Sequence, residues 1–599
     1  MKRVFSIIVL LLIMFSAILP VHAQLTPPNF GAADDPTGWI PANFAGFVRI
    51  DASVQSDALN SLNLMLFTAS FLQPSRVTFT DTVTFDTFFP LASFDLEQAA
   101  FSTDIAPWLS GSIVIAYREL SDDYSPISEE TLLIFPTRDT FNAAAAMQRV
   151  IEGQDILETV SYRGVTIYVG DQTAIAFTPS AVLIGSDEIL RATIDVIDGE
   201  GESITASAAY QQIDAALAAD SLSAGTFAGD SQPGTAFAFV RGEAASNAVR
   251  VLLSTSDSGE AQSVLSAFAG ALAHQRDSAT VETALLNGEI EAAGARLHAE
   301  FRGQAAIGVQ AHVAVRLADT PSTPAVPAAF DTSILNLIPR SAFIVQSGSN
   351  AHAAARDVVA GLPLYNFAGV ALNAFPFSVS AAAQSGEIPT PDADAASAAI
   401  DSFFTAARDI GGVDIAAGVL DQLNGSYAFA LMPRPNNPLP LLNTRYDMLL
   451  IAQVADTQTA LAGVTDALEL YLGESALESE MINAQNFFVL REPDTGEAVL
   501  RIGAVDGALV IGTGESAALA LQARAGDNRL IAQDRWQSLL TSERTPDLYL
   551  DFNGFFNAFF PQVARGVAGG IPLNQMSVQT TVDESGLYRL DVRVTLPQP

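Results

Sequence analysis

Two stretches of this chain follow one plan, and that duplication constrains the fold more than any other feature. Ile40-Pro41 precedes an apolar strand-like run, Phe44 to Ile50, and Ile338-Pro339 precedes Ala342 to Gln346. Gly111-Ser112-Ile113-Val114-Ile115-Ala116 matches Gly425-Ser426-Tyr427-Ala428-Phe429-Ala430, each followed by a polar loop and another strand. In that next strand Leu132-Leu133-Ile134 leads to Asp139-Thr140, and Leu449-Leu450-Ile451 to Asp456-Thr457, with the same spacing from leucine to aspartate. Val182-Leu183-Ile184-Gly185 then runs into a helix from Asp187, and Leu509-Val510-Ile511-Gly512 into one from about Glu515. Any single match is cheap; several in the same order point to tandem duplication.

Local chemistry fits that outline. An Asp or Thr at Asp139-Thr140 and Asp456-Thr457 is suited to accept from the free amides of a starting helix. Leu461, Val464, Leu468 and Leu472 step by three and four residues, an apolar stripe for packing on a sheet, with Phe141, Ala144, Met147 and Ile151 as its looser counterpart. Arg296 to Arg302 and Gly586 to Leu596 alternate polar with apolar residues, the pattern of half-buried strands. Strands joined by short turns pair antiparallel. The expected fold is therefore α+β, two tandem related repeats, each a mostly antiparallel sheet with packed helices. The expected boundaries are a signal peptide at 1–23, a first repeat at 24–318, a Pro-rich linker at 319–333 (Pro321, Pro324, Pro327) and a second repeat at 334–599. The halves differ in a helical stretch near Glu260 to His274 and a Pro-rich loop from Pro433 to Pro440.

The order Ile40-Pro41-Ala42-x-Phe44 then strand, Trp108-x-x-Gly111 then hairpin, Asp-started helix, and strand-Gly-helix resembles a family of exported bacterial proteins catalogued only as a domain of unknown function. The likeness covers most of the chain after the leader and is clearer in the first half; no tryptophan precedes Gly425. It implies no activity and no functional residue.

The first residues read as a secretory leader: Lys2 and Arg3, an apolar run from Val4 to Leu19, and Val21-His22-Ala23 as a small-residue cleavage site before Gln24. The apolar run falls short of the ~20 residues that a membrane-spanning helix needs. Cleavage leaves a chain without lysine and takes the net charge from −37 to −39. The expected location is secreted or periplasmic, with no stable membrane insertion after cleavage. A surface of that charge repels phosphate backbones and anionic headgroups, so nucleic acid is not an expected partner. There is no cysteine, so stability must come from buried apolar surface, which a chain of 599 residues can supply.

Absences remove most chemistries. Without lysine after the leader there is no phosphate-loop lysine, Schiff base or Ser-x-x-Lys nucleophile; without cysteine there is no thiol nucleophile or iron–sulfur cluster. The histidines beyond the leader, His274, His298, His312 and His352, lack the close spacing of a helical zinc pair. His298 and His312 lie in alternating segments whose strands could form a hairpin, both on the polar face, where solvated imidazoles are expected rather than a metal site. Gly512-x-Gly514-x-x-Ala517 resembles a dinucleotide fingerprint, but the segment before it, Ala498 to Ile511, reads as a hairpin rather than a crossover unit, so the motif is expected to be a tight strand-to-helix turn. Phe552, Phe555, Phe556, Phe559 and Phe560 follow helical spacing, and Phe85, Phe88, Phe89 and Phe94, and Tyr365, Phe367, Phe375 and Phe377, form further clusters. Core packing is the expectation for them, with a groove for an apolar ligand as the alternative. The sequence thus names no catalytic, cofactor-binding or metal-ligating residue. It reads as an exported non-enzymatic protein, structural or partner-binding. The alternatives are a carrier of a lipid or other apolar ligand, or a carboxylate-based extracellular hydrolase.

Overall fold

The computed structural model describes principally residues 35–51, 107–119, 130–152, 156–218, 234–242, 290–317, 330–355, 412–434, 445–537, 546–559, 574–582 and 587–595, apart from isolated positions within them. The leader at 1–23, most of the linker at 319–333, the stretch from Glu260 to His274 and the Phe85–Phe94 and Tyr365–Phe377 clusters lie outside the described residues.

The first half runs β1 (Gly46–Asp51), β2 (Ser112–Tyr117), β3 (Thr131–Pro136), α1 (Thr140–Glu152), β4 (Glu158–Tyr162), β5 (Val165–Val169), β6 (Ala174–Phe177), β7 (Ala181–Gly185), α2 (Asp187–Ile197), α3 (Ala208–Ala218), β8 (Gly234–Arg241), β9 (Ile290–Arg302) and β10 (Ala305–Leu317). The second runs β11 (Ile344–Gly348), α4 (Ile415–Gly418), β12 (Leu423–Pro433), β13 (Tyr446–Val454), α5 (Thr457–Leu472), β14 (Leu477–Ile482), β15 (Gln485–Arg491), β16 (Ala498–Val505), β17 (Ala508–Thr513), α6 (Ser516–Ala525), α7 (Asp534–Gln537), β18 (Leu548–Asp551), α8 (Phe552–Phe559), β19 (Gln575–Val582) and β20 (Leu587–Thr595).

All these strands form one antiparallel sheet, so the fold is α+β. Across it the first half reads β4-β5-β6-β7-β3-β2-β1-β8-β9-β10. The second reads β14-β15-β16-β17-β13-β12-β11-β18-β19-β20. The two sets meet where β10 pairs with β20.

Smaller features recur at matching places. Asp35 caps a short 3-10 helix, Pro36–Trp39, before Ile40-Pro41, and Asp331 caps another, Thr332–Leu337, before Ile338-Pro339. The carbonyl of Ile40 accepts from the Ile204 amide at 2.9 Å, and that of Ile338 from the Leu530 amide at 3.0 Å. The hairpins β4–β5 and β14–β15 turn through Arg163-Gly164 and Asn483-Ala484, all with positive φ, as the twist of a two-residue hairpin demands.

Apolar cores cover both faces in each half. Ile189, Leu190 and Ile194 of α2 and Tyr210, Ile213 and Leu217 of α3 pack with Phe47, Phe237 and Phe239 on one face. On the other, Trp108, Ala143 and Met147 pack with Leu133 and Phe135. In the second half Ala517, Ala520 and Leu521 of α6 join Trp536 and Tyr549, while α5 packs through Ala460. Of the expected stripe on α1, Met147 is buried and Ile151 packs on the core, but Ala143 takes the inward place of Phe141, which is 82 % exposed. In an alanine-rich helix several overlapping stripes satisfy the 3.6-residue period, and the sheet selects the one that lets it approach closely. On α5, Leu461, Val464 and Leu468 pack as expected and Leu472 is exposed.

Helices α4 and α5 touch backbone to backbone: a Cβ on Gly463 would stand 2.5 Å from the carbonyl oxygen of Gly418. Gly463→Val should therefore force the helices apart and cost about 1–3 kcal/mol, read as a lower urea midpoint; an unchanged midpoint would show that the contact can open freely. No helix among the described residues is long and apolar enough to cross a membrane.

Candidate functional site at the central strand pair

Strand β20 alternates as expected, with Arg589, Asp591, Arg593 and Thr595 on one face and Tyr588, Leu590, Val592 and Val594 on the other. Yet both faces are enclosed, since Arg593 is 3 % exposed and Val592 4 %. The expectation of a half-buried strand fails here because alternation records which side is polar, not whether that side meets water. Charged groups so enclosed must find partners.

They find them across the junction. In the β10–β20 register His312 stands directly opposite Asp591. Its Nδ1 lies 2.6 Å from Asp591 Oδ1, a distance that fits an imidazole donating from Nδ1 to the carboxylate. Arg589 Nε donates to the same oxygen at 2.8 Å, and its Nη2 lies 3.4 Å from His312 Nδ1. Arg589 Nη1 also donates to the carbonyl of Ala216, at 3.0 Å, near the end of α3. From β9, Arg296 donates to Asp214 at 2.9 Å and to the Leu217 carbonyl at 3.4 Å, and lies over the Phe237 ring. The C-terminal carbonyls of α3 are thus met by one guanidinium from each half, which also suits the negative end of the helix dipole.

The expected solvated histidine pair is corrected by this geometry. Strands β9 and β10 do form a hairpin, but His298 stands opposite Gln310 and His312 opposite Arg296, so the two histidine positions are offset by two residues. His312 is buried, 4 % exposed, and its partner comes from the far end of the chain. Among the described residues no group of three metal-ligating side chains converges.

A second enclosed charge lies at the Gly512-x-Gly514 turn. The preceding strands β16 and β17 are an antiparallel hairpin, as expected. Asp447 Oδ2 accepts from the Glu515 amide at 3.3 Å, at the start of α6, where a dinucleotide fold would present its amides to a phosphate. Arg434 donates to Asp447 at 3.0 Å and also pairs with Glu497, while Arg501 donates to the Gly514 carbonyl. Burial raises the Asp447 carboxyl above its ordinary range, and the Arg434 guanidinium pulls the other way. The chain's own carboxylate therefore fills the turn.

Of the phenylalanines called from the sequence, Phe552, Phe555 and Phe556 are buried, with the rings of Phe555 and Phe556 edge to face at 5.5 Å. Sequence reasoning missed Arg589, Asp591, Arg434 and Asp447. The signal that could have found the first pair is Arg589-x-Asp591-x-Arg593 interleaved with Leu590, Val592 and Val594.

Comparison with known proteins adds a family and little else. The family described as "Protein of unknown function (DUF3352)" matches residues 89–596. No curated protein matches the chain. Two solved structures, crystal forms III and IV of TP0453, are similar at 11 % identity and a TM-score of 0.23. They cover 49 % and 47 % of this chain and 83 % and 80 % of those chains.

Proposed function

The chain belongs to the DUF3352 family, and we propose that within it this protein is an exported, non-enzymatic structural or partner-binding module built from two copies of one α+β unit. The observation that carries this reading is the shared strand order of the halves and their fusion into one sheet through β10 and β20. The motif order in the sequence and the matched bonds at Ile40 and Ile338 support the two-copy origin.

Charged groups enclosed in the sheet support a structural use. Asp447, Asp551 and Asp591 are each paired with an arginine: Arg434, Arg535 and Arg589. A hydrolytic carboxylate pair instead faces a substrate and a water across a gap. Burial of Phe552, Phe555 and Phe556 favours a filled core over an apolar groove at that cluster. The leader-like start, Lys2-Arg3 with the apolar run from Val4 to Leu19 and the Val21-His22-Ala23 cleavage site, supports export.

Native mass spectrometry of the full-length chain expressed in a bacterial host tests the reading. The expected species, recovered outside the cytoplasm, begins at Gln24 and carries no small molecule. A chain retaining residues 1–23 in the cytosol would overturn export, and a stoichiometric co-purified lipid would replace the module with the carrier.

A further inference from the structure

Following the register across each half locates the two ends of the junction relative to each other. Ala116 and Ala430, matched in the sequence, pair with Phe47 and Val345. Those pair in turn with Phe239 and Tyr549, which pair with Gly294 and Ser577. These last pair with Ala314 and Arg593. Ala314 thus corresponds to Arg593, and two residues earlier on the same face His312 corresponds to Asp591. These corresponding positions are the ones that face each other across β10 and β20. A local two-fold axis therefore passes between His312 and Asp591, at the one place where two identical units would have to set a residue against itself.

That placement has a consequence for which surfaces can join. If β10 met β10 of a second copy in this register, His312 would face His312. If β20 met β20, Asp591 would face Asp591 and Arg589 would face Arg593. Two carboxylates or two guanidinium groups enclosed at that spacing repel, and two imidazoles lack a carboxylate acceptor, whereas the observed pair is hydrogen-bonded at 2.6 Å. We propose that His312 and Asp591 form a charge code that makes each half an interaction surface for the complementary half and rejects a second copy of its own. The inference rests on reading the halves as corresponding units. It is independent of export and of the absence of catalysis, so its failure would leave those parts of the functional reading standing.

The groups that face the pair are Arg589 on β20, Arg296 on β9, and Asp214 with the Ala216 and Leu217 carbonyls on α3. The test uses the full chain carrying Asp591→His, His312→Asp, or both together. Urea unfolding is followed at pH 6 beside the neutral variants Asp591→Asn and His312→Asn, and oligomeric state is read by sedimentation. Each single variant is expected to lose at least about tenfold in the folding equilibrium constant, and the double exchange to regain most of that, as coupled contacting pairs do. Asp591→His, which sets two imidazoles face to face, should lose more than the neutral Asp591→Asn, and His312→Asp, which sets two carboxylates face to face, more than the neutral His312→Asn. Singles within twofold of the parent, or a double exchange that loses the product of the two, would overturn the code. Should the exchange misfold through Arg589, the comparison of each single variant with its neutral counterpart still decides; equal losses overturn the code.

Discussion

Arg434→Met is expected to destabilise the protein by about 3–5 kcal/mol at pH 7, because it leaves the Asp447 carboxylate enclosed without its cation. Asp447 is 5 % exposed and sits on β13 against the first turn of α6, where its remaining partner would be the Glu515 amide. The pH dependence follows from the direction of its shift. Burial raises the Asp447 pKa in the folded state, so the folded chain holds that proton more tightly than the unfolded chain. Its contribution to stability is therefore greatest in acid, below the unfolded value, and falls as pH rises through the folded value. Arg434 opposes the rise; removing it moves the folded pKa further up and enlarges the loss. The gap between variant and parent should thus widen from pH 4 to pH 7 and close again on acidification. Urea midpoints across that range check it, and a gap independent of pH would mean that Arg434 acts through packing alone.

Phe239→Ala should cost about 3–5 kcal/mol, the range for emptying a ring from a closed core. Phe239 is 1 % exposed, with ring centroids 6.0 Å from Phe47 and 5.3 Å from Tyr210, the latter edge on. Truncation opens a cavity at the point where β1, β8 and α3 meet, and β1 and β8 have backbones fixed on both sides, so collapse is restricted. Phe141→Ala on α1 should change stability by less than about 0.5 kcal/mol, because a ring 82 % exposed gives up little on removal. Thermal unfolding of the two variants side by side reads both; comparable losses would contradict the placement of α1.

These two phenylalanines show what a sequence of this kind reveals. Local signals were legible: Asp456 accepts from the Gln458 and Thr459 amides, Asp139 from the Asn142 amide, and α2 begins at Asp187 after β7 as expected. The hairpin before Gly512 was also legible, since strand alternation and turn residues act over a few positions. Which phenylalanine lies inside was not. Phe141 fits an apolar stripe as well as Ala143 does, and only the neighbouring sheet distinguishes them. The bond between His312 and Asp591 joins residues 279 apart, and no local pattern encodes such a partner. Alternation on β20 identified the charged face, but its enclosure depends on what lies over it.

The place of β20 in the sheet also dictates an order of assembly. It follows every other described strand in sequence, residues 587–595, yet it lies in the middle of the sheet between β10 and β19. Each half can pair its other strands while synthesis continues, but β10 must wait with a raw edge along Ala305–Leu317 until residues 587–595 arrive. Raw edges of that length invite pairing with the wrong chain. Protection of the growing chain is therefore most needed in the interval between the completion of β10 and the arrival of Thr595, and a chain cut before β20 should aggregate rather than persist as a merely shorter protein.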